Sequence, residues 1–240
     1  MKRIITWIIV IIILGAVGFF YITRPVAAPS EDIATATQSD QLSNASESTQ
    51  VEGMQNNAST LYRISQDDSK AEFSISETLR GSPFTAVGVT NQIAGDIIIS
   101  SDAQGTPTIK LGTVKIDART FKTDSSQRDG AIDRMILKAE NSGNEYIIFT
   151  PSSIIGLPAA IADGQEFSFT VNGTLRISGV TKPVILTVKA TKTPDTFSGT
   201  VSTTLKRSDF DLRIPNIPFV ANVSDSFSVS SAFTARMVQS

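Results

Sequence analysis

From residue 61 onward the chain alternates apolar and polar positions with period two, interrupted at short intervals by Gly, Asn, Asp or Pro. That alternation predicts strands at 61–65, 70–78, 84–90, 92–100, 108–121, 146–154, 166–177, 184–193, 196–205 and 225–237. Phe73 and Ile75 share one face. Ile93, Gly95, Ile97 and Ile99 fall in one register, and Val114, Ile116 and Ala118 alternate against Lys115 and Asp117. Strands this short and this regularly punctuated form an antiparallel barrel or a sandwich. The clearest pair lies in 173–188. Leu175 and Ile177 alternate with polar neighbours, and Val184, Leu186 and Val188 do the same after a Gly179-Val180-Thr181-Lys182-Pro183 corner. Gly179 tolerates a positive φ, and Pro183, lacking an N–H, is expected as the first residue of the second strand.

One stretch follows the other period. In 126–139 the residues Ile132, Met135, Ile136 and Ala139 recur at helical spacing, and Ser126 with Asp129 makes a capping-box start. A single amphipathic helix laid across the sheet, or over a barrel mouth, is expected there. Phe73, Phe167, Phe169, Phe197, Phe227 and Phe233 each fall on the apolar face of a strand. They form either a packed core or the lining of a cavity. An eight-stranded barrel has an interior just wide enough for side chains or one slender ligand.

The N-terminus has a different pattern. Residues 4–22 carry no charge, follow Lys2 and Arg3, and precede Arg24. As a helix the run is about 28 Å long, close to the bilayer core. Trp7, Phe19, Phe20 and Tyr21 lie towards its ends, as in an interfacial belt. The expectation is a membrane anchor over 1–24, oriented by Lys2 and Arg3 with the rest of the chain exported. The alternative is a cleaved signal peptide, whose apolar region is normally about 7–15 residues long. Residues 25–60 are rich in Ser, Thr, Gln, Asn and Ala, carry five acids and show no apolar period. They read as a disordered tether.

Composition narrows the chemistry. The chain has no Cys and no His, with a net charge of -2. Thiol nucleophiles, disulfides, a Cys-linked lipid anchor, Ser-His-Asp triads and His-containing metal sites are excluded. Outside the anchor and tether the chain is formally neutral, so nothing suggests a nucleic-acid partner. Carboxylate-only chemistry such as glycoside hydrolysis passes this filter. Glu72 and Glu77, however, lie on opposite faces of one strand, too far apart to form a carboxylate pair.

The segment Gly173-Thr174-Leu175-Arg176-Ile177-Ser178-Gly179-Val180-Thr181-Lys182-Pro183-Val184 resembles a signature of the YceI-like family, lipocalin-like barrels associated with polyisoprenoid lipids. Further matching pieces occur in the same order as in the family. They are Ser69-Lys70-Ala71-Glu72-Phe73, Val87-Gly88 to Ile93-Ala94-Gly95, Thr123-Asp124 through Arg128-Asp129, Ile148-Phe149-Thr150, and Arg207-Ser208-Asp209-Phe210. The resemblance covers 61–237. It departs where Gly130, Ala131 and Ile132 stand in place of a His after the Arg-Asp pair, and where Asp211 stands in place of a Gly. Arg207 and Asp209 are expected to form an ion pair or a turn clamp, with ligand contacts as the alternative. Arg128 and Asp129 serve helix entry or recognise a polar head group.

The resemblance implies an all-β fold, a single antiparallel lipocalin-like β-barrel over 61–240 with one inserted helix, preceded by the transmembrane helix and disordered linker. It also implies non-catalytic binding of a lipid or isoprenoid ligand inside the barrel, with no cofactor and no metal. The expected wall is Phe73, Ile75, Ile97, Ile99, Val114, Ile116, Phe167, Phe169, Phe197, Phe227 and Phe233, with Met135 and Ile136 as a lid. Expected partners are that ligand, the membrane through the N-terminal helix, and a second copy if a homodimer forms. The competing expectations are a membrane-tethered carboxylate hydrolase and a solid β-sandwich interaction module.

Overall fold

The computed structural model describes residues 59–239. The expected anchor and nearly all of the tether lie outside the described residues. The described chain forms one antiparallel sheet of 13 strands. The strands are β1 (Ser59–Ile64), β2 (Lys70–Leu79), β3 (Ser82–Thr90), β4 (Ile93–Ala94), β5 (Asp96–Ser101), β6 (Pro107–Leu111) and β7 (Val114–Asp117). Then follow β8 (Tyr146–Ile155), β9 (Glu166–Ile177), β10 (Val180–Lys192), β11 (Thr196–Lys206), β12 (Val220–Ala221) and β13 (Ser226–Met237).

The sheet runs β4-β7-β8-β9-β10-β11-β13-β1-β5-β6, with β2 paired to β13, β12 and β3. Only Gly95 separates β4 from β5, so the strand paired to β7 continues into the strand paired to β1. The sheet therefore curls into a lipocalin-like half-barrel with one short helix. The long strand β13 organises the curl. Its C-terminal half pairs with β1, its N-terminal half pairs with β2, and its opposite edge follows β11 throughout.

Several strand boundaries differ from the alternation pattern, each for a local reason. The expected strand 108–121 is two strands, broken at Gly112 and Thr113 and closed by a 3-10 turn at Ala118–Thr120. Asp117 caps that turn through Arg119 N. The β9–β10 corner is tighter than expected. Ser178 and Gly179 form the turn with φ of 48° and 79°, the pattern of a type I′ hairpin. Pro183 consequently sits inside β10, opposite Thr174. It is tolerated because β10 pairs with β11 only from Thr187 onward, leaving Pro183 on an open edge. Asp211, where the family resemblance leads one to expect Gly, has φ 52° and ends the Arg207–Phe210 turn. A left-handed position explains the preference for glycine, and Asp tolerates that region better than most side chains.

The expected helix over 126–139 is shorter and changes pitch. α1 (Ser126–Ala131) continues as a π-helical turn over Ile132–Ile136. Leu137 N donates to Ile132 O at 2.8 Å, and Lys138 with φ 52° ends the segment. The wider turn rotates the apolar face. Ile132, Leu137 and Ala139 are buried, whereas Met135 is 53% exposed. The cap is Ser125, one residue earlier than expected, and Asp129 instead accepts from Thr123 N and Oγ1, both at 2.7 Å.

Candidate functional site

Strand register assigns the inward face of the curl. Across β11, β13, β2 and β3 the rows Val201-Ser231-Ala71-Thr90, Thr203-Val229-Phe73-Gly88 and Leu205-Phe227-Ile75-Ala86 lie side by side. Val188 of β10 extends the first row, and Phe169 of β9 lies beyond it. The inner face is not uniformly filled. At the end where β1 meets β13, Tyr62, Phe169, Phe197 and Phe233 are buried, with Phe197 only 2% exposed. Phe197 contacts the rings of Tyr62, Phe167 and Phe233 at centroid distances of 6.4, 6.2 and 5.6 Å. Edge-tilted aromatic packing of this kind makes a solid plug.

Farther along the same face the apolar side chains lose their cover. Phe73, Ile75, Leu186, Val201, Phe227 and Val229 are only half-buried although they point inward. Thr203 and Ser231 are half-buried among them. Phe73 is held flat against β3, since a Cβ at Gly88 would stand 2.2 Å from its ring. Gly173 receives Phe149 in the same way, 2.6 Å from an added Cβ. Two glycines thus make room for aromatic rings lying along the inner wall.

The expected wall residues divide between these two regions. Ile97, Ile99, Phe169, Phe197 and Phe233 are in the buried core, Phe73, Val114, Ile116, Ile136, Phe167 and Phe227 are half-buried against it, and Ile75 is half-buried. Met135 faces solvent. Leu186, Val201, Thr203, Val229 and Ser231 join the half-buried strip. The same period-two alternation that singled out the phenylalanines already put them on this face.

An ion pair closes one side of the strip. Glu77 continues the inward row of β2 and is opposite Phe84. Its carboxylate, 7% exposed, accepts from Arg128 Nη2 of α1 at 3.1 Å. The Arg128 guanidinium also pairs with Asp124 and stands 5.1 Å over the Phe84 ring. This contact fastens α1 to the β2–β3 hairpin. Arg207 is a turn clamp and not a partner of Asp209. It donates to the carbonyls of Ser224 at 2.8 Å and Leu212 at 2.9 Å.

Asp133, in the π-helical turn, is the unusual buried acid. It is 3% exposed, and its Oδ1 has no hydrogen-bond partner. Burial raises its pKa above the ordinary carboxylate value, Glu140 adds to the rise, and Arg134 and Arg119 oppose it. Arg119 is already engaged by Asp117, which takes Nε at 2.9 Å and Nη2 at 2.7 Å. Helical spacing alone would place Asp133 on the solvent side, so the sequence carries no signal of its burial.

A shallow open cavity of about 120 Å³ lies between β2, β3, β11 and β13, lined by Ser74, Ile75, Ser76, Thr85, Thr204, Ser226, Phe227 and Ser228. Its lining is hydroxyl and apolar and contains no carboxylate, which is not the paired-acid cleft a glycosidase requires.

A YceI-like domain matches residues 62–235. The chain belongs to the YceI-like family. Its fold is similar to the crystal structure of Burkholderia cenocepacia BcnA, at 17% identity and a TM-score of 0.52, covering 71% of this chain and 98% of that one. It is also similar to a polyisoprenoid binding domain from Saccharophagus degradans, at 14% identity and a TM-score of 0.56, covering 74% and 98%. Among proteins with curated descriptions, none matches this chain.

Proposed function

We propose that this YceI-like domain binds a long apolar molecule, an isoprenoid or other lipid chain, along the inward face of its curled sheet, on the exported side of a membrane. The binding is non-catalytic. The observation that carries the reading is the half-buried strip of Phe73, Ile75, Leu186, Val201, Phe227 and Val229, which runs away from the Phe197 plug. A protein interior normally covers such side chains completely. Here they are left for an added apolar surface to cover. Each buried CH₂ contributes about 0.8 kcal/mol, so ten carbons supply about 8 kcal/mol, enough for micromolar affinity before ordering costs. No charged contact is required. Family membership and the likeness to a polyisoprenoid binding domain support the same class of ligand.

Val201 offers the direct test. It lies between Val188 and Ser231 in the inward row and is only half-buried. Val201→Trp fills the strip with an indole. A fluorescent polyene fatty acid should bind the parent protein saturably and the variant at least about tenfold more weakly, a loss of about 1.4 kcal/mol. Equal binding by both proteins, with the variant folded, would remove the inner strip from the binding site.

A further inference from the structure

The plugged and open ends of the curl point in opposite directions along β13, and the rim at the open end carries an unusual surface. We infer that the loop carrying Phe219, together with the β2–β3 turn, docks on an anionic lipid bilayer and presents the open end of the curl to it. This deepens the lipid-binding reading and rests on it.

Phe219 is 73% exposed, the most exposed large apolar side chain among the described residues. Its backbone φ is 69°, a region that bulky side chains rarely occupy. The conformation is locked. Phe219 O accepts from Arg80 N at 2.8 Å, Val220 N donates to Ile217 O at 3.2 Å, and β12 then pairs Val220 with Leu79 and Ala221 with Thr78. The aromatic ring is therefore held outward by a hydrogen-bonded frame. Around it the tract Leu212-Arg213-Ile214-Pro215-Asn216-Ile217-Pro218-Phe219-Val220 is far more apolar than a solvated loop.

Charge identifies the occupant. In 78–87 and 212–224, the two segments that build this rim, Arg80 and Arg213 are the only charged residues. Both are exposed, and Arg213 is shared with Asp211 at 3.0 Å. An outward aromatic ring beside Arg80, on an apolar loop whose other arginine, Arg213, is paired with Asp211, suits the headgroup–acyl boundary of a negatively charged leaflet. A protein partner would need a larger flat patch than one projecting ring.

Position supports the bilayer too. The chain enters the sheet at Ser59, at the far end of β13, where Val238 N donates to Leu61 O at 2.9 Å. The other end of β13 is about 36 Å away at 3.3 Å per residue, and Phe219 lies farther still, since Val220 pairs with Leu79, four residues past the Ile75 that pairs with Phe227. Residues 25–60 can span at most about 120 Å when fully extended. A chain anchored through the N-terminal run can therefore turn its open end to the membrane, which a short linker would forbid.

The experiment uses the full chain, in which Trp7 is the only tryptophan. Trp7→Phe combined with Phe219→Trp places one indole at the rim, and Trp7→Phe combined with Val238→Trp places one at the plugged end. Both proteins are reconstituted in phosphatidylethanolamine–phosphatidylglycerol vesicles containing acyl-brominated lipids. The rim indole should lose about half its emission to the bromines, while the indole at position 238 should lose almost none. Equal or greater quenching at position 238, or none at either position, would overturn the docking surface. Lipid extracted from detergent-purified protein reports separately on binding. Bound lipid without rim quenching overturns docking alone, whereas absence of bound lipid overturns the reading beneath it.

Discussion

Asp133 shows at a single residue how burial converts into a pH dependence. Its carboxyl is held above the ordinary range, first by burial and then by Glu140. A group whose pKa rises on folding stabilises the fold in its protonated form. That contribution is complete below the unfolded value of about 4 and is lost as pH climbs through the raised folded value. Asp133→Asn should therefore stabilise the protein at pH 7 to 8 by about 1 kcal/mol, or about 2–4 °C in Tm, with the gain shrinking towards pH 4. Thermal melts of both proteins across that range measure the difference directly. A constant difference, or a gain that grows towards low pH, would show that folding does not raise the pKa of Asp133.

At the scale of elements, α1 depends on one contact more than on its own length. It spans Ser126–Ala131 and breaks immediately into the π-helical turn, so intrinsic helicity contributes little. Arg128 fastens it through Glu77, and removing Arg128 alone would leave a nearly buried carboxylate without its partner. Arg128→Met should cost about 2 kcal/mol in urea unfolding, below the range for complete burial because Arg128 keeps some solvent. Adding Glu77→Gln should recover most of that loss. Additive losses in the double variant would mean that the two side chains act independently.

Legibility in the sequence also divides by element. The alternation revealed nearly every long strand because one face of each is buried and the other solvated, as at Phe167 to Ile177. It missed β12, two residues long, because period two needs more positions to show itself. It could not anticipate the change of pitch after Ala131, which depends on tertiary packing of Ile132 and Leu137. The inward faces of the candidate site were readable from parity alone. Which inward residues are sealed and which are left half-open was not, since that depends on how β13 bends between β1 and β2. Glu77 was readable only as an isolated acid. Its partner lies far along the chain, at Arg128.

The whole molecule is a curled sheet closed at one end by aromatic rings around Phe197 and left partly uncovered at the other, where Phe219 and Arg80 form the rim. The proposed binding of a slender apolar chain uses that asymmetry, with a floor of packed rings and an inner wall that is apolar and only half-buried. The central claim is that an apolar molecule occupies the inner wall. Native mass spectrometry of the full chain released from detergent, followed by organic extraction of the bound fraction, tests it most directly. The account predicts one long-chain apolar molecule per chain, lost from Val201→Trp while that variant stays folded. Protein that flies free of any apolar adduct, and yields no lipid on extraction after exposure to membrane lipids, would contradict it.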